Sequence, residues 1–132
     1  MPPKDPGRAL AGVYILVVED DDDSRTILTT VLRYYGAHVS AAPSAPDALE
    51  QLKILRPHVV VTDIAMPRYD GLWLLRQIRA LVPTDEVSVI AIIAVADSDV
   101  LLAAGFHAAL TKPVDPLALC QAIRRVLGFD DD

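Results

Sequence analysis

Charged side chains lie at the ends of three apolar segments, where they could take part in chemistry. Asp63 ends one apolar run and is followed by a loop that contains a proline, and Glu19-Asp20-Asp21 ends another. Lys112 precedes a proline after a third short run. In open parallel sheets, ligands bind at the carboxyl ends of strands, so groups that are distant in sequence can converge there. The pattern predicts one shared site, and separately solvated acids are the alternative.

The predicted site is rich in carboxylates. Neighbouring carboxylates repel one another, which raises the free energy of ionising all of them unless a cation is present. Lys112 offsets one negative charge, and a divalent cation would offset two more. Oxygen ligands without His or Cys suit a hard ion, so the donor set favours Mg²⁺ and is compatible with Mn²⁺.

Four segments of the chain resemble the receiver domain of two-component response regulators, including the chemotaxis receivers. They are ILVVEDD at 15–21, DIAMPRYDG at 63–71, AGF at 104–106 and LTKP at 110–113. The resemblance covers residues 14–127. It implies that Asp63 is the phosphoacceptor and that Lys112 contacts the phosphoryl group. It also implies a metal site formed by Glu19, Asp20, Asp63 and the backbone carbonyl of Ala65, and a cis peptide bond between Lys112 and Pro113.

The resemblance also implies a reaction. Asp63 would attack the phosphorus of a phosphohistidine, carried by a histidine kinase or a histidine-phosphotransfer protein, or that of a small phosphodonor. The metal and Lys112 would stabilise charge on the equatorial oxygens. The product is a labile acyl phosphate, so we expect a signalling domain that phosphorylates and dephosphorylates itself rather than an enzyme. Its signal would pass to a downstream protein or a fused output domain.

Two positions depart from the pattern of the family. Receivers usually carry Ser or Thr near the end of the fourth strand, where this chain aligns Ile93. They tend to carry Tyr or Phe three residues before the lysine, where this chain has Ala109. The segment 97–105 is about three residues shorter than usual, which predicts a fourth helix of roughly two turns. The residues for phosphorylation are present, whereas the usual switch residues are not.

Three functions therefore remain open. The first is a phosphoaccepting receiver with atypical switch residues, either free-standing or part of a hybrid kinase or multidomain regulator. The second is a pseudo-receiver that docks a protein partner regardless of phosphorylation. The third is a metal-dependent phosphatase with an aspartyl nucleophile, but such enzymes usually place a second Asp where this chain has Ala65.

Composition narrows the class of protein. The 132 residues fit one domain, with 52% hydrophobic residues, 23% charged residues and a formal net charge of −6. This acidic balance argues against direct nucleic-acid binding, which needs clustered Lys or Arg. No apolar run is long enough to span a bilayer, and a lone cysteine, Cys120, excludes an internal disulfide, so we expect a cytoplasmic protein. The sequence leaves the oligomeric state open.

Apolar strands and amphipathic helices alternate along the chain. Strands are predicted at 13–18, 37–41, 58–62, 87–95 and 106–110, the fourth being central. Helices are predicted to begin after Asp22 or Asp23, Ser44, Asp70, Asp97 and Asp115, residue types that cap helix N-termini. This pattern predicts a doubly wound, flavodoxin-like α/β fold with helices on both faces of a five-stranded parallel sheet. The resemblance adds the strand order 2-1-3-4-5.

The ends of the chain differ from the middle in composition. We predict a flexible N-terminal arm or linker at 1–12, a receiver domain at 13–128 and a solvated acidic tail at 129–132. Most other conspicuous residues are predicted to have structural roles. His38, His58 and His107 lack metal-ligand spacing, and Trp73 and Phe106 are predicted to pack, while Arg68 and Tyr69 could line the entrance to the site.

Overall fold

The computed structural model describes residues 5–83, 86–94 and 98–129, without the side chain of Ser98. Strands and helices alternate throughout. The strands are β1 (Tyr14–Val18), β2 (His38–Ala42), β3 (Val59–Asp63), β4 (Ser88–Ile93) and β5 (Ala108–Thr111). The helices are α1 (Asp22–Tyr34), α2 (Ala45–Ile54), α3 (Gly71–Leu81), α4 (Ser98–Ala104) and α5 (Pro116–Val126).

All strand pairs are parallel, and the sheet has the order β2-β1-β3-β4-β5, as predicted. The middle strand is β3, which is buried at every position. The fourth strand, predicted to be central, lies between β3 and the edge strand β5. The register pairs Val18 of β1 with Thr62 of β3, and Asp63 with Ile92 of β4. The carboxyl ends of these strands therefore meet at one edge of the sheet.

Helices cover both faces of the sheet, which explains why the strands are apolar at consecutive positions. One core contains residues of α2, α3 and α4 together with alternate strand residues such as Val60 and Ala91. The other core contains residues of α1 and α5 together with the intervening strand residues, such as Val61 and Ile92. Consecutive strand residues thus belong to opposite cores.

Four helices begin at side-chain caps. Ser44, Asp70 and Asp115 accept hydrogen bonds from backbone N–H groups in the first turns of α2, α3 and α5, as predicted. The prediction of Asp22 or Asp23 as the cap of α1 is wrong. Asp21 has extended backbone geometry and accepts from the Ser24 N–H at 2.8 Å, so the helix begins one residue earlier.

The N-terminal segment corrects the prediction of a flexible arm as far as residues 5–12 are concerned. It contains a short 3₁₀ helix, Pro6–Arg8, and Leu10 is fully buried in the core of α1 and α5. The Leu10 N–H donates to the Tyr35 carbonyl at 2.8 Å, and Arg124 Nη1 donates to the Ala9 carbonyl at 2.6 Å. Apolar burial and these bonds attach the segment to the domain. Residues 1–4 lie outside the described residues.

Several predicted boundaries shift. The third strand extends to Asp63, the fourth ends at Ile93, and the fifth begins at Ala108. Helix α4 has seven residues, which agrees with the prediction of about two turns. The predicted cap Asp97 and the acidic residues 130–132 lie outside the described residues. Within the described part of the chain, no helix has the length and apolar character needed to cross a membrane.

Candidate functional site

Three acidic residues meet where β1 and β3 end. Each offers a carboxylate oxygen, and these atoms of Glu19, Asp20 and Asp63 all lie within 4.8 Å of one another. Glu19 and Asp63 are only 2% and 6% exposed, whereas Asp20 is exposed. The convergence predicted from the strand ends is therefore present, and it joins two buried carboxylates with one that solvent can reach.

Lys112 follows β5 and reaches across to both buried acids. Its Nζ lies 3.0 Å from Asp63 Oδ2 and 3.6 Å from Glu19 Oε1. The backbone N–H of Lys112 donates to the Ile93 carbonyl at 2.8 Å, which ties the residue to the end of β4. The Lys112–Pro113 peptide bond is cis, as predicted.

Burial and mutual charge alter the proton affinity of the site. Burial, followed by the negative charge of Asp63 and a hydrogen bond with Asp20, raises the pKa of Glu19 to about 7. Burial alone would lower the pKa of Lys112, but its hydrogen bond with Asp63 and the charges of Asp63 and Glu19 outweigh this effect and raise it. With no metal ion bound, Lys112 therefore stays a cation, whereas ionisation of Glu19 is disfavoured up to about neutral pH.

Local contacts hold Glu19 in place. The Asp21 N–H donates to Glu19 Oε2 at 3.4 Å, and Arg25 Nη1 donates to the Glu19 carbonyl at 2.9 Å. Arg25 also pairs with Asp22. The first turn of α1 thus fixes the backbone that carries the acidic pair.

The loop after Asp63 folds back tightly against the strand. The Gly71 N–H donates to the Ile64 carbonyl at 2.9 Å. A Cβ at position 71 would lie 2.7 Å from the Asp63 carbonyl oxygen, closer than real Cβ contacts come, so the turn requires glycine here. Ala65 is exposed in this loop, and the ligation of a metal by its carbonyl stays a prediction.

Arg68 and Tyr69 lie farther along the same loop. Arg68 has a φ of 70°, which is uncommon for a residue other than glycine. The Tyr69 ring packs against Trp73 with 4.5 Å between ring centroids, and Tyr69 stays 43% exposed. Trp73 packs against the core, as predicted.

The acidic trio fits a hard divalent cation. Mg²⁺ prefers oxygen ligands at about 2.1 Å, so opposite ligand oxygens lie about 4.2 Å apart. Three carboxylate oxygens within 4.8 Å match that spacing after small side-chain movements. The exposure of Asp20 leaves room for the water ligands that Mg²⁺ retains.

Ile93 and Ala109 both contact the core on the opposite side of the sheet from α1 and α5. Ile93 is 6% exposed, and Ala109 is partly buried against the same core. The strand residue paired with Asp63 is Ile92, whose side chain belongs to the other core. Ile93 is therefore a packing residue that offers no hydroxyl to the site.

An apolar cleft that was not predicted from the sequence borders the site. It has a volume of about 490 Å³ and is lined by both Glu19 and Lys112. Its remaining walls come from α1, from Ile92, from the loop before α5 and from the start of α5, namely Ser24, Ile27, Leu28, Val31, Ile92, Pro113, Val114, Pro116 and Leu119. The only trace in the sequence is the apolar residue Ile27 next to Leu28, and the structure leaves Ile27 62% exposed.

Comparison with known proteins gives consistent matches. A family model described as the response regulator receiver domain matches residues 15–124. The uncharacterized 14.6 kDa protein in the sodA1 3′ region of Leptolyngbya boryana is 40% identical over 129 residues. That alignment covers 95% of this chain and 98% of the cyanobacterial protein.

Two further matches belong to other bacteria. The transcriptional regulatory protein AfsQ1 of Streptomyces coelicolor is 37% identical over 86% of this chain, which spans about half of the regulator's length. A solved structure of a response regulator receiver domain protein from Clostridium thermocellum superimposes with a TM-score of 0.81 at 26% identity. It covers 88% of this chain and 94% of the solved chain.

Proposed function

The chain belongs to the response regulator receiver domain family, and from this premise we propose that Asp63 accepts a phosphoryl group from a phosphorylated histidine protein. One observation carries the proposal. A buried aspartate at a strand end lies 3.0 Å from a lysine ammonium and beside two further carboxylates that suit Mg²⁺. Few structural roles require this combination, because burying these like charges together is costly.

The transfer is a displacement at phosphorus. A carboxylate oxygen of Asp63 forms the new P–O bond while the P–N bond to the donor imidazole breaks and its electron pair returns to the nitrogen. Mg²⁺, when bound by Glu19, Asp20 and Asp63, supplies charge neutralisation for the phosphoryl oxygens. In the unphosphorylated protein, Lys112 Nζ donates a hydrogen bond to Asp63 Oδ2. After the transfer, Lys112 donates to an oxygen of the phosphoryl group instead. Because Glu19 and Asp63 are already buried side by side, only small side-chain movements are needed to reach this arrangement.

The cleft beside the site gives the donor protein a place to bind. Apolar side chains of a donor helix would cover Ile27 and Val114 and would bring a phosphohistidine next to Lys112. The apolar cleft beside Lys112 is the observation that supports a protein donor in addition to small phosphodonors.

Phosphorylation by a small acyl or amido phosphate tests the proposal. Intact-mass measurement of the wild type with Mg²⁺ should find one added phosphoryl group that is lost on standing. Asp63→Asn should remain unmodified, whereas Asp23→Asn, an exposed acid at the start of α1, should react like the wild type. Equal modification of Asp63→Asn and the wild type would refute the assignment.

A second candidate function is a pseudo-receiver that binds its partner regardless of phosphorylation. Ile93 and Ala109 favour it, because neither side chain can respond to a phosphoryl group as a hydroxyl and an aromatic ring would. Partner affinity measured with and without beryllofluoride, a phosphoryl mimic, separates the two candidates. Unchanged affinity supports docking, and a change of several-fold supports phosphorylation-dependent signalling.

With either candidate function, phosphoaccepting receiver or pseudo-receiver, we propose that the domain does not turn over external phosphate esters. Ala65 stands two residues after Asp63, where metal-dependent phosphatases with an aspartyl nucleophile usually carry a second Asp. Sustained hydrolysis of a phosphate ester, lost in Asp63→Asn, would contradict this part of the proposal.

A further inference from the structure

The edge strand β2 (His38–Ala42) lacks the sequence features that usually protect an exposed edge. An open strand edge presents unpaired backbone groups and is a template for pairing with another chain. Many proteins protect such an edge with Lys, Pro or a bulge within the strand. The β2 sequence is His-Val-Ser-Ala-Ala, with neither Lys nor Pro, and it pairs with β1 in regular register. Its protection must therefore come from other elements.

The hydrogen bonds identify the backbone groups that face outward. The His38 N–H donates to the Val13 carbonyl, and the Ala42 carbonyl accepts from the Glu19 N–H, so positions 38 and 42 face β1. In a parallel pair, alternate residues bond to the same neighbour. The carbonyls of Val39 and Ala41 therefore point away from the sheet.

Both outward carbonyls are covered by long side chains. Arg33 Nη2, from α1, donates to the Val39 carbonyl at 3.1 Å. Gln51 Nε2, from α2, donates to the Ala41 carbonyl at 2.9 Å. Because α1 and α2 belong to opposite cores, the two side chains reach the edge from opposite faces of the sheet.

Apolar surface lies next to this edge. Ile54 and Leu55, at the end of α2, are 87% and 51% exposed. They line a small cleft with Ser40 and Gln51. A strand added to β2 would cover part of this surface, which would favour its binding.

We propose that the β2 edge is a latent self-association surface that Arg33 and Gln51 keep closed. Its occupant would be a second copy of this chain. Two β2 strands related by a twofold axis can pair antiparallel, each offering the same outward groups of Val39 and Ala41. The short side chains at 40–42 let the two backbones approach closely.

Replacing both side chains with methionine tests the proposal, because Arg33→Met/Gln51→Met keeps the apolar bulk and removes the donors. Arg76→Met/Gln77→Met on α3 is the matched control, with the same change in charge and composition. Sedimentation velocity over a concentration series should show that the edge variant self-associates at least about tenfold more tightly than the control. Thermal unfolding monitored by circular dichroism verifies that both variants are folded. If the edge double variant does not fold, each single substitution is compared with its counterpart at 76 or 77.

Adding Val39→Pro identifies the surface responsible. The Val39 N–H faces outward, so proline removes a donor that a second copy would need without removing a bond to β1. Association of the triple variant should return to the level of the control. Equal association of the edge variant and its control would overturn the proposal, as would association that persists in the triple variant.

Discussion

Folding raises the pKa of Glu19 and therefore disfavours its ionisation. Its pKa rises from an ordinary 4.5 to about 7 because its side chain is buried beside Asp63. Between these two values the folded state binds more protons than the unfolded state. Without a divalent cation, the free energy of unfolding should therefore fall as pH rises from 4.5 to 7 and should level off above 7.

Glu19→Gln should remove this pH dependence. At pH 8 without metal, the variant should be more stable than the wild type by about 3.5 kcal/mol, which is about 1.4 kcal/mol for each pKa unit between 4.5 and about 7. Glu50→Gln, at an exposed position on α2, is the control and should keep the slope of the wild type. Urea unfolding at several pH values measures the effect. A wild type and Glu19→Gln with parallel profiles would show that Glu19 is ionised at little cost.

Because Gly71 has no Cβ, the loop after Asp63 can pack closely against the end of β3. Gly71→Ala would force its Cβ against the Asp63 carbonyl, so we expect a loss of about 1–3 kcal/mol in unfolding free energy despite the better helix propensity of alanine. Gly7→Ala is the control, because its Cβ would meet nothing closer than 3.8 Å. Chemical denaturation of both variants gives the comparison. A Gly71→Ala protein as stable as the control would mean that the loop has room to move.

We expect the end of β4 and the elements that follow it to determine whether phosphorylation of Asp63 is transmitted. Ile93 packs in the core at the end of β4, and Ala109 in β5 has no ring to reorient. A ligand shifts a conformational equilibrium only through contacts that differ between the two states. The absent hydroxyl removes one charge-assisted hydrogen bond, which is worth about 1.5–3 kcal/mol.

Beryllofluoride with Mg²⁺ should therefore change amide chemical shifts around Asp63 and Lys112 and leave α4 and β5 nearly unchanged. Ile93→Thr with Ala109→Tyr should extend the shifts into α4 and β5. Asp63→Asn with beryllofluoride is the control, and it should show no response. Large shifts across 98–111 in the wild type would reveal another route of coupling.

Features that depend on local sequence patterns were predicted, whereas features that depend on how the elements pack together were not. Strand order and the convergence of Glu19, Asp63 and Lys112 were predictable, because apolar strands and family motifs are local patterns. The cap at Asp21 was missed because three further acidic neighbours offer similar side chains. The covering of β2 by Arg33 and Gln51 was not predictable, since it depends on how two helices cross the edge of the sheet. Burial of Leu10 was not predicted, because the prolines and glycines around it are typical of a flexible segment.

Metal binding should stabilise the domain as a whole, because the acidic site joins β1 to β3 at the centre of the sheet. A ligand that binds only the folded state adds about 2.7 kcal/mol at a concentration one hundred times its dissociation constant. Asp20→Asn should lose most of the Mg²⁺-dependent rise in melting temperature, whereas Asp23→Asn should keep it. Differential scanning calorimetry across a Mg²⁺ series is the measurement. An unchanged rise in Asp20→Asn would place the ion elsewhere.

At the scale of the whole molecule, the sheet positions one buried aspartate, Asp63, that we propose receives the phosphoryl group. Tandem mass spectrometry of peptides from the protein phosphorylated in the presence of Mg²⁺ identifies the residue that carries the group. We predict a single phosphoryl group on Asp63, with a yield that falls sharply when Mg²⁺ is chelated or when Lys112 is replaced by alanine. A phosphoryl group on any other residue, or a yield at Asp63 that is indifferent to both Mg²⁺ and Lys112, would contradict the account.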